Sequence, residues 1–206
     1  MHFVTISRTL GSSGTEVARR VAEKMGYRFV DTDEIDRSAR LKGFVKSVEE
    51  LDGKAPSFFE RYFSDKPEIN LDRLNSVIYE MAKESDTLFV GRGGQVLLKS
   101  FECALHVRVT ASLETRIRNL LQRGYNETAA VKAVERSDHE RSGFIRFAFG
   151  VDWNDAALYD VVLNMDKVSV NLAVETLLTM ARSGGTWHWN TGLGPRLSQP
   201  ACHQVN

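Results

Sequence analysis

The chain has 206 residues, of which 42% are hydrophobic and 26% are charged, a composition typical of one sizeable globular domain. Its 27 lysines and arginines balance its 27 aspartates and glutamates, so its charge predicts neither a nucleic-acid partner nor a membrane-surface partner. Two cysteines are too few for a disulfide framework, and no apolar run approaches the ~18 residues of a membrane span, so we expect a cytoplasmic protein.

The N-terminal segment has the pattern of a strand, a turn of small residues, a helix and a second strand. A β-branched and aromatic run predicts the first strand at 2–7, and apolar residues at helical spacing predict a helix over 15–25. Gly26 follows as the predicted C-cap, and 27–30 predicts the second strand. The chain therefore opens as a β-α-β unit.

Further alternation of helices and strands follows along the chain. Residues 33–86 predict several helices, the longest at about 70–84. After them come predicted strands at 87–90, 105–109 and 161–163, and predicted helices at 113–122, from an N-cap at Asn126 onward, and at 171–181. Such alternation predicts a parallel sheet with helices on both faces. Residues 183–206, rich in glycine and proline, are predicted to be a flexible tail.

The turn after the first strand resembles a phosphate-binding loop. Small residues leave backbone N–H groups accessible at a helix N-terminus, where partial positive charge attracts anions. They are Gly11, Ser12, Ser13 and Gly14, followed by Thr15, whose hydroxyl stands where a P-loop places its magnesium ligand. The lysine of the motif G-x-x-x-x-G-K-S/T is missing, because Gly14 occupies its position. The turn alone is also compatible with a connection that binds nothing.

Two arginine-containing segments add to this signal. In "FVGRGG" (89–94), Arg92 follows a predicted strand, and ligands of open α/β sheets bind at the carboxyl ends of strands. In "ERSDHERSGFIRF" (135–147), arginines alternate with acidic residues. Alone, these segments are compatible with a surface turn and with a solvated helix face held by ion pairs. Together with the turn, they indicate a site for phosphoryl transfer, which needs positioning and charge neutralisation.

The segments together resemble the cytidylate kinase-like group of nucleoside monophosphate kinases over about residues 3–182. The resemblance rests mainly on "ISRTLGSSGTEVA" (6–18), "FVGRGGQVLL" (89–98), "ERSDHERSGFIRFAFGVDW" (135–153) and "YDVVLN" (159–164). It implies a three-layer α/β P-loop kinase fold within residues 1–182, with a five-stranded parallel sheet in the order 2-3-1-4-5. It also implies a helical acceptor-binding region at 33–86 and a helical lid at 126–156.

The same resemblance implies roles for individual residues. Gly11, Ser12, Ser13, Gly14 and Thr15 would bind the phosphates of ATP, and Thr15 and Asp31 would hold Mg²⁺. Asp31 and Asp33 would lie near the acceptor, and Arg92 would bind the acceptor phosphate. Arg136 and Arg141 would be lid arginines that close over the transferring group. Arg8, which stands at the first glycine of the P-loop motif, would replace the charge of the missing lysine.

Three functions follow as hypotheses. The first is a kinase that transfers the γ-phosphoryl group of ATP to CMP, dCMP or a related acceptor. The second, favoured by the missing lysine, is a nucleotide-binding regulatory module without turnover, and the third is an interaction scaffold. Asp33 and Glu34 depart from the family pattern by adding negative charge near the acceptor. Nucleotides are the expected partners, and the sequence predicts no oligomeric state.

Overall fold

A sheet of five parallel strands forms the centre of the molecule. The computed structural model describes residues 3–41, 67–84 and 86–183. The strands are β1 (Phe3–Arg8), β2 (Arg28–Val30), β3 (Thr87–Val90), β4 (Ala104–Thr110) and β5 (Val161–Asn164). Their spatial order is β2-β3-β1-β4-β5, and every neighbouring pair is parallel. The predicted α/β class and strand order are therefore confirmed.

Seven α-helices connect or flank these strands in the described part of the chain. They are α1 (Gly14–Met25), α2 (Thr32–Leu41), α3 (Pro67–Glu84), α4 (Gly94–Leu97), α5 (Leu113–Leu121), α6 (Glu127–Phe149) and α7 (Val170–Arg182). A 3₁₀ turn at Ala156–Leu158 precedes β5. Residues 42–66 and 85 of the predicted acceptor-binding region lie outside the described residues, as does 184–206 of the predicted tail.

The helix ends follow the capping signals in the sequence. Gly26 ends α1 in a left-handed conformation and donates its N–H to Ala22 O and Glu23 O, as expected for a C-cap glycine. Asn126 caps α6, because its side chain accepts a 2.8 Å hydrogen bond from Ala129 N. Helix α3 begins at Pro67, three residues before the predicted start, since proline is well tolerated in the first turn of a helix. The short helix α4 was not predicted from its glycine-rich sequence.

Two apolar clusters cover opposite faces of the sheet. Val4 and Ile6 of β1 pack on one face with residues of α1 and α7, including Val17 and Leu177. On the other face lies a cluster that includes Phe3 of β1 together with residues of α2, α3 and the C-terminal part of α6. Side chains of a strand alternate between faces, so one strand contributes to both clusters. The arrangement gives the three layers of the fold.

Helix α6 is packed near both of its ends. Ala130 and Val134 near its start form a cluster with Leu120 of α5, and Phe144 and Ile145 near its end belong to the second large cluster. The middle of α6 is thereby held across the carboxyl ends of the strands. None of the helices in residues 3–41, 67–84 and 86–183 has the length and apolar character needed to cross a bilayer.

Candidate active site

A cleft of about 560 Å³ lies at the carboxyl ends of β1, β2 and β3, with α6 forming one wall. It brings together predicted site residues that are far apart in the sequence. Its lining includes Arg8, Thr15, Asp31, Asp33, Arg92, Arg136 and Arg141. Gly11, Ser12 and Ser13 lie in the adjoining turn between β1 and α1, and Gly14 is the first residue of α1. The roles assigned to these residues stay predictions, but their placement makes a single site geometrically possible.

The turn is held in shape by the buried side chain of Ser12. Its Oγ donates to Thr9 O at 2.8 Å and to Val109 O at 3.2 Å, which ties the turn to the end of β4. Ser13 adopts a left-handed conformation with φ of 61°. The standard motif has glycine at this position, and the positive φ explains that preference. The hydroxyl of Ser12 is therefore used for structure.

Gly11 packs directly against α5. It has φ of 84°, and a Cβ added there would lie 2.6 Å from the carbonyl oxygen of Arg116. Asn119 of the same helix donates from Nδ2 to Gly11 O at 2.8 Å. The first residue of the predicted phosphate-binding turn is thus fixed from outside by α5.

We expect Gly11→Ala to lower the free energy of unfolding by about 1–3 kcal/mol through overpacking, in addition to the cost of positive φ. Gly124→Ala is the matched control, because Gly124 has φ of 90° but no atom within 4 Å of an added Cβ. Chemical denaturation of both variants measures the difference. Equal destabilisation would show that contact with α5 does not constrain Gly11.

Arg8 occupies the space beside the position of the missing lysine. A Cβ on Gly14 would lie 2.6 Å from Arg8 Cβ and 3.0 Å from Val109 Cβ. A Cβ on Gly91 would lie 2.7 Å from Arg8 Nη1. The Nε of Arg8 donates a long 3.5 Å hydrogen bond to Thr15 Oγ1. Two glycines therefore make room for this arginine, and a lysine at position 14 does not fit beside it.

Three guanidinium groups in the cleft repel one another. The pKa of Arg8 is well below its ordinary value, first because of burial and then because of the positive charges of Arg141 and Arg92; Asp31 and Asp33 partly offset these effects. Burial is also the main reason that the pKa of Arg141 is lowered. Guanidinium groups nevertheless stay protonated near neutral pH. A bound anion would relieve this repulsion.

Arg141 also contributes an unsatisfied donor. Its Nη1 is buried and has no hydrogen-bond partner within the described structure. A buried donor without a partner is costly, and a phosphate oxygen would supply the missing acceptor. The cluster of arginines and this unsatisfied donor together suit a polyphosphate ligand.

Arg92 lies in an unusual stretch of backbone at the end of β3. Its φ is 56°, and it stands between Gly91 with φ of 86° and Gly93 with φ of 75°. A positive φ is strained for a residue with a Cβ and is often found at functional sites. Its Nη2 donates to both carboxylate oxygens of Asp36 at 2.8 and 2.9 Å. Asp36 was missed by the sequence analysis, although it is a charged residue beside the buried Ile35 of α2.

The two predicted lid arginines differ in their surroundings. Arg136 has a side chain that is 71% exposed and pairs with Glu140 at 2.8 Å, one turn further along α6. For Arg136, this matches the alternative interpretation of residues 135–147 as a solvated helix face held by ion pairs. Arg141, by contrast, is directed into the cleft with a buried nitrogen atom. Of the two, Arg141 has the stronger geometric case for binding phosphate.

The carboxylate of Glu34 does not line the cleft, contrary to the sequence-based expectation. Its carboxylate accepts from Arg28 at 3.2 Å and from Arg37 at 2.8 Å. Asp33 does line the cleft. The sequence-based expectation of two additional negative charges is therefore reduced to one, because two arginines neutralise Glu34.

Ser7 and Trp153 also line the cleft and were not predicted. Trp153 Nε1 donates to Ser7 Oγ at 2.7 Å. The guanidinium of Arg108 lies 4.2 Å from the centre of the Trp153 ring and donates from Nη2 to Asn154 Oδ1 at 2.7 Å. These contacts attach the chain that follows α6 to β1 and β4. The side chains of β4 that point toward this chain cannot be identified from the sequence alone.

The oxygen donors of the cleft suit a magnesium ion that is bound largely by phosphates. Thr15, Asp31 and Asp33 all line it, whereas the described residues contain no cluster of three side chains of the metal-binding types. Mg²⁺ commonly keeps several waters and uses one or two carboxylates together with substrate phosphates. The residues present fit such an ion, and they do not suggest a structural metal site.

Comparison with known proteins identifies the family. A model of the cytidylate kinase-like family matches residues 3–167. The chain is 27% identical over 180 residues to a cytidylate kinase of Pyrobaculum aerophilum, covering 86% of this chain and 91% of that protein. It is 30% identical over 169 residues to a cytidylate kinase of Pyrococcus horikoshii, covering 81% of each.

Solved structures support the same fold. An uncharacterized protein from Eubacterium ventriosum superposes with a TM-score of 0.71 at 20% identity, covering 89% of this chain and 99% of that one. A shikimate kinase from Bacteroides thetaiotaomicron gives a TM-score of 0.52 at 12% identity, covering 87% and 98%. With a P-loop kinase fold and a family match over most of its length, the chain belongs to the cytidylate kinase-like family.

Proposed function

We propose that this protein transfers the γ-phosphoryl group of ATP to CMP, dCMP or a related acceptor. The observation that carries this proposal is the position of Arg8, which fills the space beside Gly14 and reaches across Gly91. Its guanidinium, with Nε 3.5 Å from Thr15 Oγ1, supplies a cation beside the turn although the lysine is absent. The similarity to proteins named cytidylate kinase supports the choice of acceptor.

The cleft divides naturally between the two substrates. The turn at residues 11–15 and Arg8 form the donor side, where backbone N–H groups and the N-terminus of α1 attract phosphate. Arg92, held by Asp36, forms the acceptor side. Arg141 lies on α6, on the wall of the cleft. This division puts the transferring group between cations from three different elements.

Transfer requires an oxygen of the acceptor phosphate to form a bond to the γ-phosphorus of ATP while the bond to the β–γ bridging oxygen breaks and ADP leaves. Arg8 and Arg141 would stabilise negative charge on the transferring group and the leaving phosphate. Arg92 would orient the acceptor phosphate for attack. Mg²⁺ held by Thr15 and Asp31 would supply further charge neutralisation to the phosphates.

The regulatory module without turnover is the less favoured alternative. Its main support is the missing lysine, and the location of Arg8 beside that position weakens this support. The third hypothesis, a scaffold with an empty turn, does not account for the buried unsatisfied nitrogen of Arg141. The phosphotransferase hypothesis explains both features.

The direct test is to incubate the protein with MgATP and each of CMP, dCMP, UMP, AMP and GMP. We expect ADP together with CDP or dCDP, and slower or no reaction with the purine nucleotides. ATP binding is measured in parallel by calorimetry. ATP binding without phosphorylation of any of these acceptors would overturn the proposal in favour of the regulatory module. The absence of ATP binding would favour the scaffold.

Replacing Arg92 with alanine should selectively weaken acceptor binding. Loss of a charge-assisted arginine–phosphate contact is expected to raise the KM for CMP by roughly 10- to 100-fold. The KM for ATP should change little, because Arg92 lies on the acceptor side. Steady-state kinetics with each substrate varied in turn provides the measurement.

Arg20→Ala is the control for this variant, since Arg20 forms an exposed 3.6 Å pair with Glu16 on α1. It should leave both KM values unchanged. Equal effects of Arg92→Ala on both substrates would contradict the assignment of Arg92 to the acceptor side.

A further inference from the structure

Arg116 of α5 connects the phosphate-binding turn to α6. Its Nε donates to Leu10 O at 2.7 Å. Its Nη1 and Nη2 donate to the two carboxylate oxygens of Asp138, each at 2.7 Å. The Arg116 side chain is only 7% exposed. Unlike Arg92, it is absent from the lining of the cleft, and its Nε, Nη1 and Nη2 all donate within the protein, so it is poorly placed to bind a substrate itself.

Asp138 has another potential partner on its own helix. Arg141 follows it by three residues, and opposite charges at this spacing on a helix commonly pair. The Asp138 charge acts on Arg141 and raises its pKa, against the larger lowering by burial. Both oxygens of Asp138 are nevertheless bound by Arg116, while Nη1 of Arg141 is buried and has no hydrogen-bond partner in the described structure. Arg136, in contrast, does form an ion pair with an acidic residue of its own helix, Glu140.

We propose that Arg116 is a positioning residue that binds both carboxylate oxygens of Asp138 and so keeps the guanidinium N–H groups of Arg141 available to bind phosphate. The proposal rests on the proposed function in that it takes Arg141 as a ligand of the ATP phosphates. It assigns to the pair of Arg116 and Asp138 a purpose beyond holding the turn and α6 together.

The physical basis is competition for one guanidinium group. Without Arg116, the carboxylate of Asp138 would lose its bidentate partner, and the positive charge of Arg141 on the same helix would attract it. A carboxylate attached to the same helix acts at a high effective concentration. A phosphate would then have to displace it from Arg141. Arg116 removes this competitor by binding both carboxylate oxygens, a geometry that suits arginine particularly well.

The test compares Arg116→Gln, Asp138→Asn and the double variant, with MgATP binding measured by calorimetry in the absence of acceptor. We expect Arg116→Gln to weaken binding by roughly 30-fold, as for loss of one charge-assisted contact. Adding Asp138→Asn should restore most of that loss, because the competing carboxylate is gone. A purely structural ion pair predicts that the double variant binds no better than Arg116→Gln.

Arg116→Gln combined with Glu135→Gln is the matched control, since Glu135 is an exposed acidic residue on the same helix. It removes one negative charge from α6 and should not restore binding. If Arg116→Gln does not fold, as judged by its thermal transition, Arg116→Lys replaces it, with and without Asp138→Asn. Lysine keeps the charge but cannot form the bidentate pair, so restoration by Asp138→Asn is again expected.

Failure of this inference can be distinguished from failure of the proposed function. Wild-type protein that binds MgATP but phosphorylates no acceptor would overturn the proposed function, and the binding comparison would still test Arg116. Wild-type protein that turns over normally, together with a double variant that is not restored, would overturn the role of Arg116 alone. Equal restoration by Glu135→Gln would also overturn it, because the effect would then be one of net charge.

Discussion

Replacing Arg8 with alanine is expected to lower kcat by about 10²- to 10³-fold, the size of effect seen when one preorganised charge-stabilising group is removed from an active site. The stem of Arg8 lies beside Gly14, and its guanidinium lies beside Gly91 and Thr15. The free protein should at the same time become more stable, because a buried charge repelled by Arg92 and Arg141 is removed. Steady-state kinetics and thermal unfolding measure the two effects.

The opposite signs of these two effects make the prediction specific. A variant that lost activity through misfolding would also lose stability. Arg20→Ala, on the exposed side of α1, should change neither quantity. Unchanged turnover of Arg8→Ala would show that the protein does not use Arg8 in place of the lysine and would leave Arg141 as the principal cation of the cleft.

Restoring the P-loop lysine by Gly14→Lys alone should reduce activity to a similar extent. The new Cβ would lie 2.6 Å from Arg8 Cβ and 3.0 Å from Val109 Cβ, closer than such atoms normally approach. Either the turn or Arg8 must then move, and a shift of about 1 Å in an active site commonly costs about 100-fold in rate. Turnover of MgATP and CMP provides the measurement.

The triple variant Arg8→Gly, Ser13→Gly and Gly14→Lys should recover much of that loss. It recreates G-x-x-x-x-G-K-T at residues 8–15, and glycine suits the positive φ at position 13. The variant with Arg8→Gly and Ser13→Gly alone is its control, because it lacks both cations and should stay inactive. Full activity of Gly14→Lys in the presence of Arg8 would contradict the steric argument.

The fold was largely predictable because most of its helices and strands, with the exception of the short α4, carry a strong local signal. Alternating strands and helices fixed the class, and Gly26 and Asn126 marked helix ends that the structure confirms. The order of strands came from the resemblance to a family and could not be derived from periodicity. The acceptor-binding region at 33–86 stays a prediction, since part of it lies outside the described residues.

The sequence identified the segments that form the site, but it did not show which side chains within each segment have which surroundings. Arg136 and Arg141 appeared equivalent in the sequence, yet residues five positions apart on a helix point about 140° away from each other. Both line the cleft, but only the packing of α6 determines which of them buries a guanidinium nitrogen there, and that residue is Arg141. In the same way, the sequence did not show which acidic residue of α2 pairs with the arginine of the cleft. Asp36 pairs with Arg92, whereas Glu34 pairs with Arg28 and Arg37.

The exchange of lysine for arginine also changes the chemical reactivity of the cleft. Among its described lining residues there are arginines but no lysine, and a guanidinium group is a far weaker nucleophile than a lysine amine because its charge is delocalised over three nitrogens. ATP analogues that acylate or sulfonylate a P-loop lysine would therefore find no amine in this part of the cleft. Reagents of that kind should label ordinary P-loop kinases in a mixture and leave this protein's donor site unmodified.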